Sequence, residues 1–191
     1  MEQAPPPWNG EPVIISPVYP GRDDAFIEPF VTLYAVAFAS APYHRTDSQV
    51  DGFRDALRRQ LHYPGFTAFR AHVGTRTLGF GYGYTTMPNH TWHRNVGNAL
   101  GARLRTWLTS CFALAELAVH PDAQGYGIGR ALHDALLSAQ AHPRALLSTL
   151  DTPSPARVMY ASAGWRLLAD NVRFPTSVDR YAIMGKVIGE H

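Results

Sequence analysis

Apolar positions recur along the 191 residues with two periods, and the alternation between them predicts the order of elements. "PVIISPVY" reads as a first strand. From Asp23, a candidate N-cap, Phe26, Phe30, Leu33 and Ala37 fall at helical spacing, with Pro29 close enough to the start to be tolerated or to kink the helix. "DSQVDGFRDALRRQLHY" predicts a second short helix. Two aromatic-rich runs around a glycine turn, "GFTAFRAHV" and "RTLGFGYGYTTM", predict an antiparallel hairpin. Between Pro88 and Ser110, Trp92, Leu100, Leu104, Trp107 and Leu108 keep helical spacing only in part and are punctuated by Gly97 and Gly101, which predicts an irregular or helical insertion.

The second half is more regular. "CFALAELAV" is a nearly continuous apolar run, as in a strand covered on both faces. Ile128, Ala131, Leu132, Ala135 and Leu136 trace one stripe of an amphipathic helix. "RALLSTL" predicts a buried strand, and "SPARVMYASAGW" a short helix with Ala156, Met159, Tyr160 and Ala163 on one face and Gly164 past its end. Two strands, around Trp165 to Leu168 and Asp179 to Val187, complete the order. Residues 1–11, rich in proline and polar groups, carry no period and are expected to form a flexible tail. Residues 12–191 are expected to form a single α+β domain, a mixed, mostly antiparallel sheet flanked by helices.

Composition narrows the function classes. Seventeen Lys and Arg residues against 15 Asp and Glu leave a formal charge of +2, too little for the field that a nucleic-acid partner calls for. The only cysteine, Cys111, cannot form an internal disulfide. No apolar run reaches membrane-spanning length, and "MEQAPPPWNGEP" has neither a basic segment nor an apolar signal core, so the expectation is a soluble cytoplasmic protein without a membrane partner.

The stretch "ELAVHPDAQGYGIGRALHDALL" carries the candidate chemistry. A strand, a turn and a helix in succession create a helix N-terminus whose free N–H groups carry partial positive charge, and glycines let an anion approach them. Gly125, Gly127 and Gly129 alternate, and four residues separate the strand from Gln124, unlike a dinucleotide fingerprint; no G-K-[ST] follows, which excludes a P-loop. An ordinary loop whose glycines only permit a turn is the other reading of this spacing. G-x-S-x-G is absent, and His90 and His93 lack the spacing of a metal site.

"LAVHPDAQGYGIGRAL" resembles the acyl-CoA pyrophosphate motif of the GNAT acetyltransferase superfamily: Val119 and Pro121 at the strand end, then Gln124, Gly127 and Gly129. "PARVMYASAGW" resembles the family's closing motif, a short helix carrying Tyr and ending in Gly-Trp. The resemblance implies an acetyl-CoA-dependent N-acetyltransferase acting by direct transfer in a ternary complex, with a small-molecule amine as acceptor; it leaves a homodimer open, and a non-catalytic acyl-CoA-binding or regulatory domain on the same fold is the alternative. It implies cofactor contacts at Leu117, Ala118 and Val119 and at Gln124, Gly125, Tyr126, Gly127, Ile128, Gly129 and Arg130. Where many members have Asn seven residues before the Tyr, this chain has Pro153, so that contact is lost or moved to Asp151 or Ser154.

Acetyl transfer to an amine needs a neutral nucleophile, and an alkyl amine with a pKa of about 10.4 is mostly protonated at neutral pH. Glu116 is the only charged residue between Arg105 and Asp122, in a strand expected to be buried. Since the resemblance sets this strand beside the thioester, Glu116 is a candidate general base, or else a structural carboxylate held by backbone N–H groups or an arginine. Tyr160 is by the same resemblance a candidate donor to the departing sulfur, and by its periodicity a core aromatic. Tyr63, Tyr82, Tyr84, Trp92 and Trp107 line an acceptor pocket or simply fill the core.

Overall fold

The computed structural model describes residues 5–21, 24–175 and 177–188. Its elements follow the predicted order: β1 (Ile14–Val18), α1 (Ile27–Ala37), α2 (Asp47–Gln60), β2 (Thr67–Val73), β3 (Arg76–Thr85), α3 (Thr91–Leu104), β4 (Cys111–Val119), α4 (Ile128–Ser138), β5 (Arg144–Leu150), α5 (Pro155–Ser162), β6 (Arg166–Arg173) and β7 (Arg180–Val187). Among the described residues, seven strands, mostly antiparallel with a parallel β4–β5 pair, and five α-helices make an α+β fold. The contacts divide into two compact units, one of residues up to Tyr84 with Glu116–Ala139, the other of Thr85–Ala115 with Gln140 onward.

In the first unit the strand order is β1-β2-β3 followed by the C-terminal half of β4. The hairpin β2–β3 is in register from Thr67 opposite Gly83 to Ala71 opposite Gly79, then shifts by one residue at a bulge. Its two faces are built differently because β3 alternates glycine with aromatic residues. Phe80 and Tyr82 face α1 and α2: Phe30 stacks on Phe80 at 4.3 Å, and Tyr34 on Phe53 at 4.0 Å. The other face is cut down to backbone. A Cβ at Gly79 would stand 3.0 Å from Leu132, and one at Gly81 2.8 Å from both Leu117 and Leu136, so α4 lies closer to the sheet than any side chain there would permit.

Pro29 is the third residue of α1, where its missing N–H costs the helix no bond, and the helix is not broken by it. The expected cap Asp23 lies outside the described residues; the residue before the helix is Phe26, which makes no side-chain cap. Helix α2 opens on a full capping box, with Thr46 and Gln49 satisfying each other's backbone N–H.

Of the expected tail, residues 5–11 are described, and they include one buried side chain. Trp8 is 7% exposed, packs with Val13, Val73, Leu78 and Ile128, and exchanges backbone hydrogen bonds of 2.9 and 3.0 Å with Glu11. A lone tryptophan among prolines has no period for a pattern to reveal.

The second unit orders the N-terminal half of β4, then β5, β7 and β6. The insertion 88–110 is largely helical: α3 is broken at Gly101, where φ is +63°, and a 3-10 turn covers Arg105–Leu108. Val96, Leu100 and Leu108 pack on Cys111, Leu146 and Ile183, with Trp92 and Trp107 at the margin. Trp107 and Leu168 close over Gly185, where an added Cβ would meet them at 2.8 and 2.7 Å. Overpacking of this kind costs about 1–3 kcal/mol. Gly185→Ala is therefore expected to lower the melting temperature by about 2–12 °C; thermal denaturation followed by circular dichroism checks it, and an unchanged midpoint would mean that Trp107 yields freely.

Candidate functional site

The candidate anion turn belongs wholly to the first unit. Strand β4 ends at Val119; the His120 N–H returns to the Leu78 carbonyl at 2.8 Å, and a 3-10 turn, Pro121–Ala123, carries the chain away. Gln124 then folds back, its side-chain amide donating to the Val119 carbonyl at 3.2 Å. This ties the two ends of the connection and assigns Gln124 a structural part in the motif. Gly125 and Gly127 both take left-handed backbone, with φ of +81° and +73°, and Gly127 is the N-cap of α4. Residues with a Cβ pay for that conformation in strain, which is why the spacing of glycines survives as a pattern in the chain.

Gly127 has no side chain to cap the helix, so its first turn keeps N–H groups without intrahelical acceptors. No acidic residue stands in that turn. Gln124, Gly125, Tyr126, Gly127 and Arg130 are exposed, whereas Ile128 is buried and anchors the helix from below. Arg130 is held on the helix surface by Asp134, Nε to Oδ2 at 2.7 Å. Exposed amides, positive dipole end and a neighbouring guanidinium fit a pyrophosphate. Of the strand residues, Leu117 and Val119 turn their side chains into the core beneath α4, and Ala118 is buried.

Glu116 alternates to the opposite face of β4 from Leu117, toward Tyr43, Arg45 and Tyr82. Part of its surface remains reachable by solvent, yet the crowding around its carboxyl pushes the pKa up to about 7, against the lowering pull of Arg45 and the Leu117 N–H. The same group, when charged, helps burial to raise the Tyr43 and Tyr82 hydroxyls. The two readings of Glu116 thus meet in one residue: an arginine and a backbone N–H favour its ionised form, and desolvation leaves it poised near neutrality. Neither Tyr43 nor Arg45 is singled out by sequence, because both lie in the aperiodic connection between α1 and α2.

Tyr82 and Tyr84, candidates for an acceptor pocket, are 2% exposed and belong to the core. Tyr82 donates to the Gln60 side-chain oxygen at 2.8 Å, and the Gln60 amide reaches Tyr84 at 3.4 Å. Tyr63 meets Tyr84 edge to face at 5.0 Å.

In the second unit Tyr160 sits on α5, 6% exposed and edge to face with Trp165 at 5.8 Å, so its ring serves the core. The substitutes for the absent Asn are both engaged in folding. Asp151 accepts from Arg157 and from the Asn171 N–H, each at 2.7 Å, and Ser154 caps α5 by accepting from the Arg157 N–H at 3.3 Å. His90 and His93 stand at the start of α3 rather than in a loop; His90 accepts from the Met87 N–H, and burial lowers both rings' pKa values. Cys111 is fully buried, its thiol pushed up to about 12. Among the described residues no group of side chains could hold a metal ion, and no helix is long and apolar enough to cross a membrane.

Residues 76–167 match the family model described as an acetyltransferase (GNAT) domain. A GCN5-like protein acetyltransferase of Mycobacterium tuberculosis is 31% identical over 122 residues, covering 58% of each chain, so the match spans little more than half of that relative. A GNAT-family acetyltransferase from Bacillus cereus superposes with a TM-score of 0.60 at 12% identity, over 93% of this chain and 99% of its own. The ribosomal-protein-S18-alanine N-acetyltransferase of Escherichia coli does so with a TM-score of 0.60 at 14% identity, over 93% and 96%. At such identities the structural likeness establishes the fold.

The raised pKa of Glu116 has a definite sign. Folding lifts it from an ordinary 4.5 to about 7, so the folded chain binds the proton more tightly than the unfolded one. The carboxyl therefore costs nothing below pH 4.5, lowers stability progressively between about pH 4.5 and 7, and adds no further dependence above. Glu116→Gln removes this: wild type is expected to lose stability relative to the variant as pH rises through that window. Denaturant melts of both proteins from pH 4 to 8 check it, and a difference independent of pH would place the carboxyl in water.

Proposed function

We propose that the chain is a member of the GNAT acetyltransferase family and an acetyl-CoA-dependent N-acetyltransferase that moves the acetyl group directly to an amine in a ternary complex. The observation that carries this is the acid-free first turn of α4, uncapped by any side chain and entered through left-handed Gly127 after the turn that follows an apolar strand. The amides of residues 127–130 and the Arg130 guanidinium would hold the pyrophosphate, and Gly125 offers open space for it, since a Cβ there would meet nothing within 4 Å. When bound, acetyl-CoA supplies an activated acyl group.

The chain's own residues supply the proton traffic. A general base works best when its pKa lies near the operating pH, and Glu116 at about 7 meets that condition. Its carboxylate takes the proton that an ammonium must lose before the nitrogen is a nucleophile, directly or through water, and Arg45 keeps enough of it ionised to act. The Tyr160 hydroxyl is the proposed donor to the departing sulfur. The partially buried Glu116 carboxylate suits a small cationic amine as acceptor. No strongly basic or acidic excess favours a nucleic-acid partner.

Replacing Gly127 with Asp puts a Cβ on left-handed backbone and a negative charge where the pyrophosphate would lie. Titration calorimetry is expected to show at least a hundredfold weaker binding of CoA, with the far-ultraviolet spectrum retained; binding within a few-fold of wild type would place the phosphates elsewhere.

Turnover separates an enzyme from a binding domain. Thiol release from acetyl-CoA across an amine panel is expected to reveal an acceptor, and on that acceptor Glu116→Gln should lower kcat by about 10²–10⁴ with the donor still bound. The rising limb of the wild-type pH profile should have its midpoint near 7 and be absent in the variant. Tyr160→Phe should lower kcat at least tenfold with little change in melting temperature, a loss of about 1.4 kcal/mol in the transition state. Donor binding without turnover on any amine would establish the non-catalytic alternative, and a destabilised Tyr160→Phe with normal kcat would confine that hydroxyl to the fold.

A further inference from the structure

We infer that Trp8 is a positioning residue for the anion turn, and that residues 5–11 clamp the connection between β4 and α4 from both sides; the inference rests on the proposed CoA site. Four contacts support it. The Trp8 indole Nε1 donates to the Asp122 carbonyl at 3.1 Å, on the approach to the turn. Its ring is buried in the same cluster as Ala123 and Ile128, the residues that bracket the glycines, and as Leu132 one helical turn later. The guanidinium of Arg76 covers the ring at 4.7 Å. Pro6 reaches the turn itself, its Cδ 3.8 Å from where a Cβ on Gly127 would stand.

The chemistry of the segment suits that place. A turn with two left-handed glycines has the largest backbone freedom to lose when it orders around an anion. Fixing its two ends before the ligand arrives removes part of that cost, which is how a residue outside a site strengthens binding. Pro5, Pro6 and Pro7 are stiff and have no backbone N–H, so the segment brings no competing donor against Gly127. The indole also engages the Asp122 carbonyl, whose negative end is thereby kept on a partner of its own. Glu11, the one charged residue of segment 5–11, is turned into the bridge with Trp8 through its backbone.

The test uses the full chain with three substitutions and two readouts. Backbone hydrogen exchange of the peptide spanning residues 124–130, measured without ligand, reports the order of the turn; calorimetry reports the dissociation constant of CoA. Trp8→Ala is expected to speed exchange in that peptide at least tenfold and to weaken CoA at least tenfold. Trp8→Phe keeps a ring and loses the bond to Asp122, and is expected to speed exchange about threefold, which keeps the test decisive should Trp8→Ala fail to fold. Val96→Ala, in the core of the second unit, controls for general destabilisation and should lower the melting temperature without altering either readout. Trp8 variants that melt lower yet exchange residues 124–130 and bind CoA as wild type does would overturn the inference. If wild type binds no CoA, the proposed function fails, and the exchange readout alone still decides whether Trp8 orders the turn.

Discussion

The proposed function depends on a backbone constraint: helix α4 must begin on a residue in the left-handed region, after the turn that leaves a buried strand, with its first amides uncapped by any side chain. A helix start is normally closed by a Ser, Thr, Asp or Asn side chain, as Thr46 closes α2 and Ser154 closes α5. At Gly127 that closure is withheld. The amides keep no side-chain acceptor, and with glycine at the cap the helix relinquishes only about a few tenths of a kcal/mol. The burial of Ile128, Leu132 and Leu136 against a sheet face stripped to glycine holds α4 in place instead.

The same strand carries both proposed chemical roles. Residues of β4 alternate between faces, so that Leu117 and Val119 support the turn from the α4 side while Glu116 projects among Tyr43, Arg45 and Tyr82 on the other. A shift of one residue in register would bury Glu116 beneath α4 and turn Leu117 outward. The alternating glycines of β3 oppose such a shift, because only Gly79 and Gly81 leave room for Leu132, Leu117 and Leu136. Binding turn and candidate base are thus positioned by one strand and one packing pattern.

Most of the fold is legible in the sequence because the elements that build it are periodic. The stripe from Ile128 to Leu136, the run from Cys111 to Val119 and the hairpin around Gly74 all fall where their patterns put them. The Gly-x-Gly spacing locates the turn because left-handed backbone demands glycine at Gly125 and Gly127. What escapes reading lacks period or local signal. Trp8 is isolated among prolines, Arg45 and Tyr43 lie in an irregular connection, and the bond from the Asn171 N–H to Asp151 is set by a tertiary contact. Gln124 is legible as part of the motif, but its bond back to the Val119 carbonyl is not. The division of the chain into two interleaved units also has no mark in composition, since its boundaries cut through β4 itself.

The central claim is that the amides opening α4 bind the pyrophosphate of CoA. Amide chemical shifts of the isotopically labelled protein, followed through a CoA titration, test it most directly. The account predicts that the largest and saturating shifts fall on Gly125 and on residues 127–130, and that acetyl-pantetheine, which lacks the pyrophosphate, leaves those amides nearly unmoved. Saturating shifts confined to other residues, or equal responses of the turn to both compounds, would contradict it.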